Sequence, residues 1–161
     1  MIITFTGHRP EKIISLDDEF KRLREVMILN GVDFGRDTFK VGGCPGFDTI
    51  ALEILMAEYV PFDHIKLLVP FVGFEKYTGR SHQEENMRVF AYNKKVVAEG
   101  IELIECGGNS GTFGQKCYKR NQALCDGSDV IYTNWNQSRG GTANTCNIAK
   151  VMGLKVINIH D

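Results

Sequence analysis

The sequence predicts an α/β protein built on one doubly wound, mostly parallel sheet of about six strands. Three observations predict it. Short apolar runs alternate with segments of helical periodicity along the whole chain. Several of those runs end in glycine-bearing loops that open a helix, as the crossovers of a parallel sheet require. The 161 residues, 43% of them apolar, suffice for one good core and not for two.

The elements follow in order. Residues 2–6 read as a strand, and residues 17–30 as a helix with Phe20, Leu23, Val26 and Met27 at helical spacing, stopped by Gly31. Residues 38–41 are a short strand. Residues 47–59 are a helix whose Phe47, Ile50, Ala51, Ile54 and Leu55 make one apolar face. Residues 64–69 form a strand with an unbroken Ile-Lys-Leu-Leu-Val run closed by Pro70, and 71–80 a glycine- and aromatic-bearing loop. Residues 81–99 are a long helix that Ser81 and Glu84 can begin as a capping box. A strand at 101–106, a loop at 107–114 and a helix at 116–126 come next. Strands at 129–133 and 155–159 flank a helical segment at 146–152. No repeat, low-complexity tract or linker interrupts this alternation, so residues 1–161 read as a single domain.

Composition narrows the function classes. The net charge is −1 with both signs interspersed, so no basic stripe argues for nucleic acid and no field for a membrane surface. No apolar run is long enough to span a bilayer, and the N-terminus lacks signal-peptide character. The five cysteines are an odd set without a CxxC pair and read as reduced thiols, the usage of a cytoplasmic protein. The four histidines show no ligand spacing with cysteine, so neither a metal nor a cofactor is expected.

In open α/β sheets the ligand lies at the carboxyl ends of the strands, where strand order reverses. Three glycine loops fall at that edge: Gly7-His8-Arg9-Pro10, Gly42-Gly43-Cys44-Pro45-Gly46, and Ser138-Arg139-Gly140-Gly141-Thr142. The last opens a helix and offers bare N–H groups and the positive end of a helix dipole to an anion. Four of the eight arginines, Arg9, Arg80, Arg120 and Arg139, belong to segments that follow strand ends. An arginine fork suits phosphate, although each could instead be solvated or pair with Glu75, Glu84, Glu85 or Asp126. Double glycines also serve tight turns for steric reasons alone. No loop matches a P-loop or the dinucleotide fingerprint G-x-G-x-x-G, which argues against a kinase or an NAD dehydrogenase.

The segment Thr6-Gly7-His8-Arg9-Pro10 resembles the TGHRP start of Rossmann-type proteins of bacteria and phages, in the YpsA-like, DUF1273-type branch of the SLOG superfamily. Gly42-Gly43-Cys44-Pro45-Gly46-Phe47-Asp48-Thr49-Ile50-Ala51 is similar to the GGAxGxDxxA loop of that branch. The run Tyr118 to Asp129, with Arg120-Asn121 at its heart, is similar to YxxRNxxMVDxSD, and Gly140-Gly141-Thr142-Ala143-Asn144-Thr145 is similar to GGTANT. Cys44, Leu124-Cys125 and Gly127 depart from those patterns. The resemblance implies a Rossmann-like fold and a nucleotide or nucleotide-derived ligand. With the strand-end placement, it makes Gly7, His8, Arg9, Gly42, Gly43, Arg80, Tyr118, Arg120, Asn121, Gly140, Gly141, Thr142 and Asn144 candidate ligand-binding residues, Arg80 by placement alone. The superfamily includes the Lonely Guy phosphoribohydrolases and the DNA-processing protein DprA. The hydrolases carry a glutamate after their PGGxGT loop, and here Asn144 to Asn147 supply none.

Cleavage of an N-glycosidic bond builds positive charge on the ribose carbon and needs a carboxylate beside it. Asp48 is the candidate, in the first turn of a helix at the right edge, though aspartate there also simply complements the helix dipole. Tyr118 and Trp135 could stack on a base or merely pack. Two function classes therefore stay open: a module that senses or sequesters a nucleotide-derived ligand, and a nucleotide N-glycosidase using Asp48. Balanced charge makes nucleic acid an unlikely partner on this reading. A membrane partner is not expected, and self-association stays open.

Overall fold

The computed structural model describes residues 1–77 and 82–161. The expected loop end with Arg80, and the capping box from Ser81, lie outside the described residues. Among these residues the sheet has six strands in the order β4-β3-β2-β1-β5-β6: β1 Ile2–Thr6, β2 Thr38–Val41, β3 Ile65–Val69, β4 Glu102–Glu105, β5 Val130–Thr133 and β6 Lys155–Asn158. Every pairing is parallel. All carboxyl ends therefore lie on one edge, and the sheet is wholly rather than mostly parallel. Among the described residues five α-helices connect the strands: α1 Leu16–Leu29, α2 Phe47–Ala57, α3 Gln83–Ala98, α4 Phe113–Cys125 and α5 Gly141–Val151.

Right-handed crossovers fix the layers. The chain moves outward from β1 to β4, which lays α1, α2 and α3 on one face. It then returns to β5 and continues to β6, which lays α4 and α5 on the other. The two faces differ in chemistry. Ile3, Phe5, Phe39, Val41, Ile65, Leu67 and Tyr132 alternate onto the first face and bury themselves with Leu23, Met27, Ile50, Ile54 and Val96. Helix α2 is apolar nearly all round and sits at the centre of this cluster. The intervening residues form the second face, where Thr4 stands in register with Lys40 and Ile131, and Lys40 with Lys66. There, among the described residues, the buried apolar cluster is small: Cys125, Ile131 and Ala149. Lys40 instead reaches the carbonyl oxygens of Ala123 and Asp126, satisfying orphan acceptors at the end of α4.

Helix starts show the local chemistry. Ser15 caps α1 by accepting from the Asp18 N–H, and Thr112 and Gln115 form a reciprocal capping box on α4. That box starts α4 at Phe113, three residues before the start read from periodicity. No helix among the described residues is long and apolar enough to cross a membrane.

Candidate functional site

The order reverses between β1 and β5, whose ends Thr6 and Thr133 are in register. The loops after them diverge, and the opening is a cavity of about 450 Å³. Its walls come from the β1 loop, the starts of α2 and α5, and one face of α4.

Gly7 lets this region close. A Cβ there would overlap the Phe47 ring and the Asn134 amide oxygen, so the glycine serves packing. His8 then ties three segments together. Its N–H donates to Asn134 Oδ1 at 2.9 Å, and its carbonyl accepts from Phe47 N–H at 3.0 Å. Its Nε2 accepts from Asn136 N–H at 3.1 Å. Because that ring nitrogen is an acceptor, the imidazole is neutral with its proton on Nδ1. Burial, with Lys12 nearby, pushes its pKa below the usual histidine value. Behind it, Asn134 Nδ2 donates to the buried Glu19 at 3.0 Å, and Glu19 pairs with His160 at 2.5 Å.

Arg9, Lys12 and Arg139 line the cavity. Lys12 donates to Ser138 Oγ at 3.1 Å, whereas Arg9 and Arg139 form no ion pair among the described residues. The start of α5 lies beside them. Gly140 is its N-cap at φ 137°, where only glycine is comfortable, and no side chain caps the helix. The N–H groups of the first turn are thus left for a ligand. A Cβ on Gly140 or Gly141 would meet none of the described residues within 4 Å, so among them the space before this helix end is open.

The floor is Asp48 and Arg120. Asp48 Oδ2 accepts from Cys44 N–H at 3.2 Å, while its buried Oδ1 has no hydrogen-bond partner among the described residues. Burial raises its carboxyl to about 6, opposed by the Arg120 charge and the Cys44 hydrogen bond. Half of this carboxylate therefore holds the loop, and half is unused. Arg120 is buried and donates to the carbonyls of Gly42 at 2.5 Å and Leu68 at 3.3 Å, and to Asn121 Oδ1 at 3.2 Å. Its guanidinium lies 5.6 Å from the Phe74 ring centroid. A Cβ on Gly42 would stand 2.7 Å from Asp48 Oδ2, so Gly42 makes room for these side chains. Gly43 has φ 74° and lies against Leu67 and Asn93. Neither glycine lines the cavity.

Of the candidates from sequence, Gly7, His8, Arg9, Asp48, Arg120, Asn121, Gly140, Gly141 and Thr142 line the cavity together. Tyr118 and Asn144 line a separate groove between α4 and α5, and Asn144 accepts from Asn121 Nδ2 at 3.1 Å. Trp135 donates to the Ser138 carbonyl and carries Lys150 over its ring, away from the cavity. Sequence reading missed Lys12, Phe74, Phe113 and Cys117 among the lining residues. Phe113, Cys117, Arg120, Asn121 and Leu124 recur at helical spacing, a stripe that a helix begun at Thr112 would have revealed. Among the described residues, no group of three or more His, Cys, Asp or Glu could hold a metal ion.

No protein-family model and no curated protein matches the sequence. The fold is similar to that of DNA processing protein A from Helicobacter pylori, with a TM-score of 0.61 and 18% identity. The match covers 97% of this chain and 63% of that one, so this chain spans less than two thirds of its neighbour's length. That protein binds single-stranded DNA. This corrects the inference that balanced charge makes nucleic acid an unlikely partner. Single strands are held by local grooves and stacking rings as well as by a basic surface, so net charge is a poor guide to them. At this identity the likeness shows the architecture alone, a Rossmann-like α/β fold, which here has a wholly parallel sheet.

Proposed function

We propose that the cavity binds the phosphate and sugar of a nucleotide unit, and that the protein senses or sequesters a nucleotide or nucleotide-derived ligand. The observation that carries this is the uncapped start of α5 opening into the cavity beside Arg9 and Arg139, two arginines without ion pairs among the described residues. Phosphate accepts from the N–H groups of Gly141 and Thr142 and from the arginine forks. Phe74 and Phe113 supply apolar wall for a base. The motif resemblance to the YpsA-like branch supports the same class of ligand. The single-stranded DNA bound by the structural neighbour is also made of nucleotide units, and a strand is within this reading.

A second reading is favoured by one observation, the buried Asp48 with an unpartnered Oδ1 and a pKa near 6. Such a carboxyl can stabilise positive charge at a ribose carbon or take a proton from water near neutral pH. In that case the protein is a nucleotide N-glycosidase. Mass spectrometry of ligand co-purifying with the protein, followed by incubation with a nucleotide panel, tests both readings. Binding with every nucleotide recovered intact supports the module. Appearance of free base supports the hydrolase. Absence of binding across the panel refutes both.

A further inference from the structure

Beside the cavity, the segment after β3 and the start of α4 bring three aromatic rings together. Phe71 stands 5.9 Å from Tyr77 at 52° and 5.8 Å from Phe113 at 76° between ring planes. Tyr77 is 67% exposed and Phe113 41%. Lys116, one turn after Phe113, holds its Nζ 5.5 Å from the Phe71 centroid. These four side chains and Gly111 bound a shallow hollow. Phe113 lines both this hollow and the cavity, so the two are neighbours across its ring. The half-buried Phe71 ring braces both exposed ones, which limits the ordering they would undergo on binding. Braced, water-exposed ring faces beside a lysine match the combination that holds unpaired bases: stacking on the ring and attraction of the backbone phosphate.

We infer that Phe113 and Tyr77 form a stacking platform for a second base, so that the ligand is a single-stranded oligonucleotide. One nucleotide unit occupies the cavity, the next stacks on the platform, and Lys116 faces the linking phosphate. This rests on the reading of the cavity as a nucleotide site. Lys116 continues on the outside the positive charge that Arg9, Lys12 and Arg139 provide within.

The test compares the four nucleoside 5′-monophosphates by calorimetry with a dye-labelled, mixed-sequence DNA strand of about ten nucleotides by fluorescence anisotropy. The strand should bind at least tenfold tighter than any mononucleotide. Tyr77→Ala, on an exposed residue, should weaken the strand about tenfold and leave mononucleotide affinity unchanged. Lys116→Gln should lower the slope of log affinity against log salt by about one. Equal affinity of strand and mononucleotide overturns the inference, as does strand binding indifferent to Tyr77→Ala. Sedimentation in which Tyr77→Ala dissolves a dimer without changing strand affinity also overturns it, making the patch a self-association surface. A strand that binds through Tyr77 while no mononucleotide binds upholds the platform and refutes the cavity reading instead.

Discussion

The guanidinium of Arg120 donates to the carbonyl oxygen of Gly42 at 2.5 Å, joining residues 78 apart in sequence. The same nitrogen reaches the Leu68 carbonyl at 3.3 Å. One α4 side chain thus satisfies backbone acceptors at the ends of both β2 and β3, beneath the cavity. A buried acceptor deprived of its donor bears the full desolvation cost, so this contact weighs more in its loss than in its presence.

Arg120→Lys should therefore be poorly tolerated although charge is conserved. A single ammonium lacks the planar fork that serves Gly42, Leu68 and Asn121 at once. The expected loss is roughly 1–3 kcal/mol of unfolding free energy, read as a lower urea midpoint at unchanged slope. An unshifted midpoint would show that the fork does not hold the floor together.

Gly7 and Gly141 look alike in sequence but are glycines for different reasons. Gly7→Ala drives a methyl into Phe47 and Asn134 and should cost about 1–3 kcal/mol. Gly141→Ala places its methyl in open space at an ordinary helical position and should leave the protein as stable or raise stability by about 0.4–1 kcal/mol. Thermal melts of the two variants side by side distinguish them.

Gly141→Val fills the space before α5, and its Cβ meets none of the described residues within 4 Å. If phosphate sits there, calorimetry with the best-binding nucleotide should show at least a tenfold loss of affinity while the melting temperature hardly moves. Undiminished affinity would reduce the loop to a tight turn.

Asp48 links the site to pH. Its folded-state pKa of about 6 lies above the ordinary value of 3.8. The folded state thus holds a proton that the unfolded chain has released, and stability falls as pH rises from near 4 to above 6. At 1.36 kcal/mol per unit, a rise of about two units bounds the loss at about 3 kcal/mol. Asp48→Asn keeps an acceptor for the Cys44 N–H and removes the titration. The variant should gain on wild type as pH is raised from 4 to 8, in urea titrations at each pH. If the protein also releases base from a nucleotide, this variant should lose roughly 10²-fold in turnover. Turnover that survives would remove Asp48 from the chemistry.

The sheet was legible because its strands are short, apolar and separated by helices of clear periodicity. The start of α2 at Phe47 and the strand ends at Thr6, Val41, Val69 and Thr133 stand where pattern and glycine loops put them. Helix α4 was misjudged at its start, since its first turn, Phe113-Gly114-Gln115, contains a glycine and is set by the Thr112 capping box. That error had consequences for the site. The earlier start adds Phe113 to the cavity side beside Cys117, whereas Tyr118 lies on the side facing α5. The roles of the glycines were also beyond the sequence. Gly42 and Gly140 carry the same letters, yet one is crowded by Asp48 and Arg120 and the other faces empty space. Only tertiary contacts separate those cases. Net charge misled for a related reason, because it averages over a surface on which Arg9, Lys12 and Arg139 are gathered.

The unequal faces of the sheet have a consequence for motion. Helices α1 to α3 share a large apolar cluster, whereas α4 and α5 rest on a few apolar residues, on Thr4, and on the carbonyl contacts of Lys40. Opening free energies follow such differences, so the α4–α5 layer should exchange its amide hydrogens as one cooperative unit before the rest of the molecule. The cavity lies along the seam between that layer and the remainder, with Arg9 and Asp48 on one side and Arg120 and Gly141 on the other. A ligand held by both sides rivets the looser half to the firmer one. Its arrival would register as slowed exchange through α4 and α5, well beyond the residues it touches.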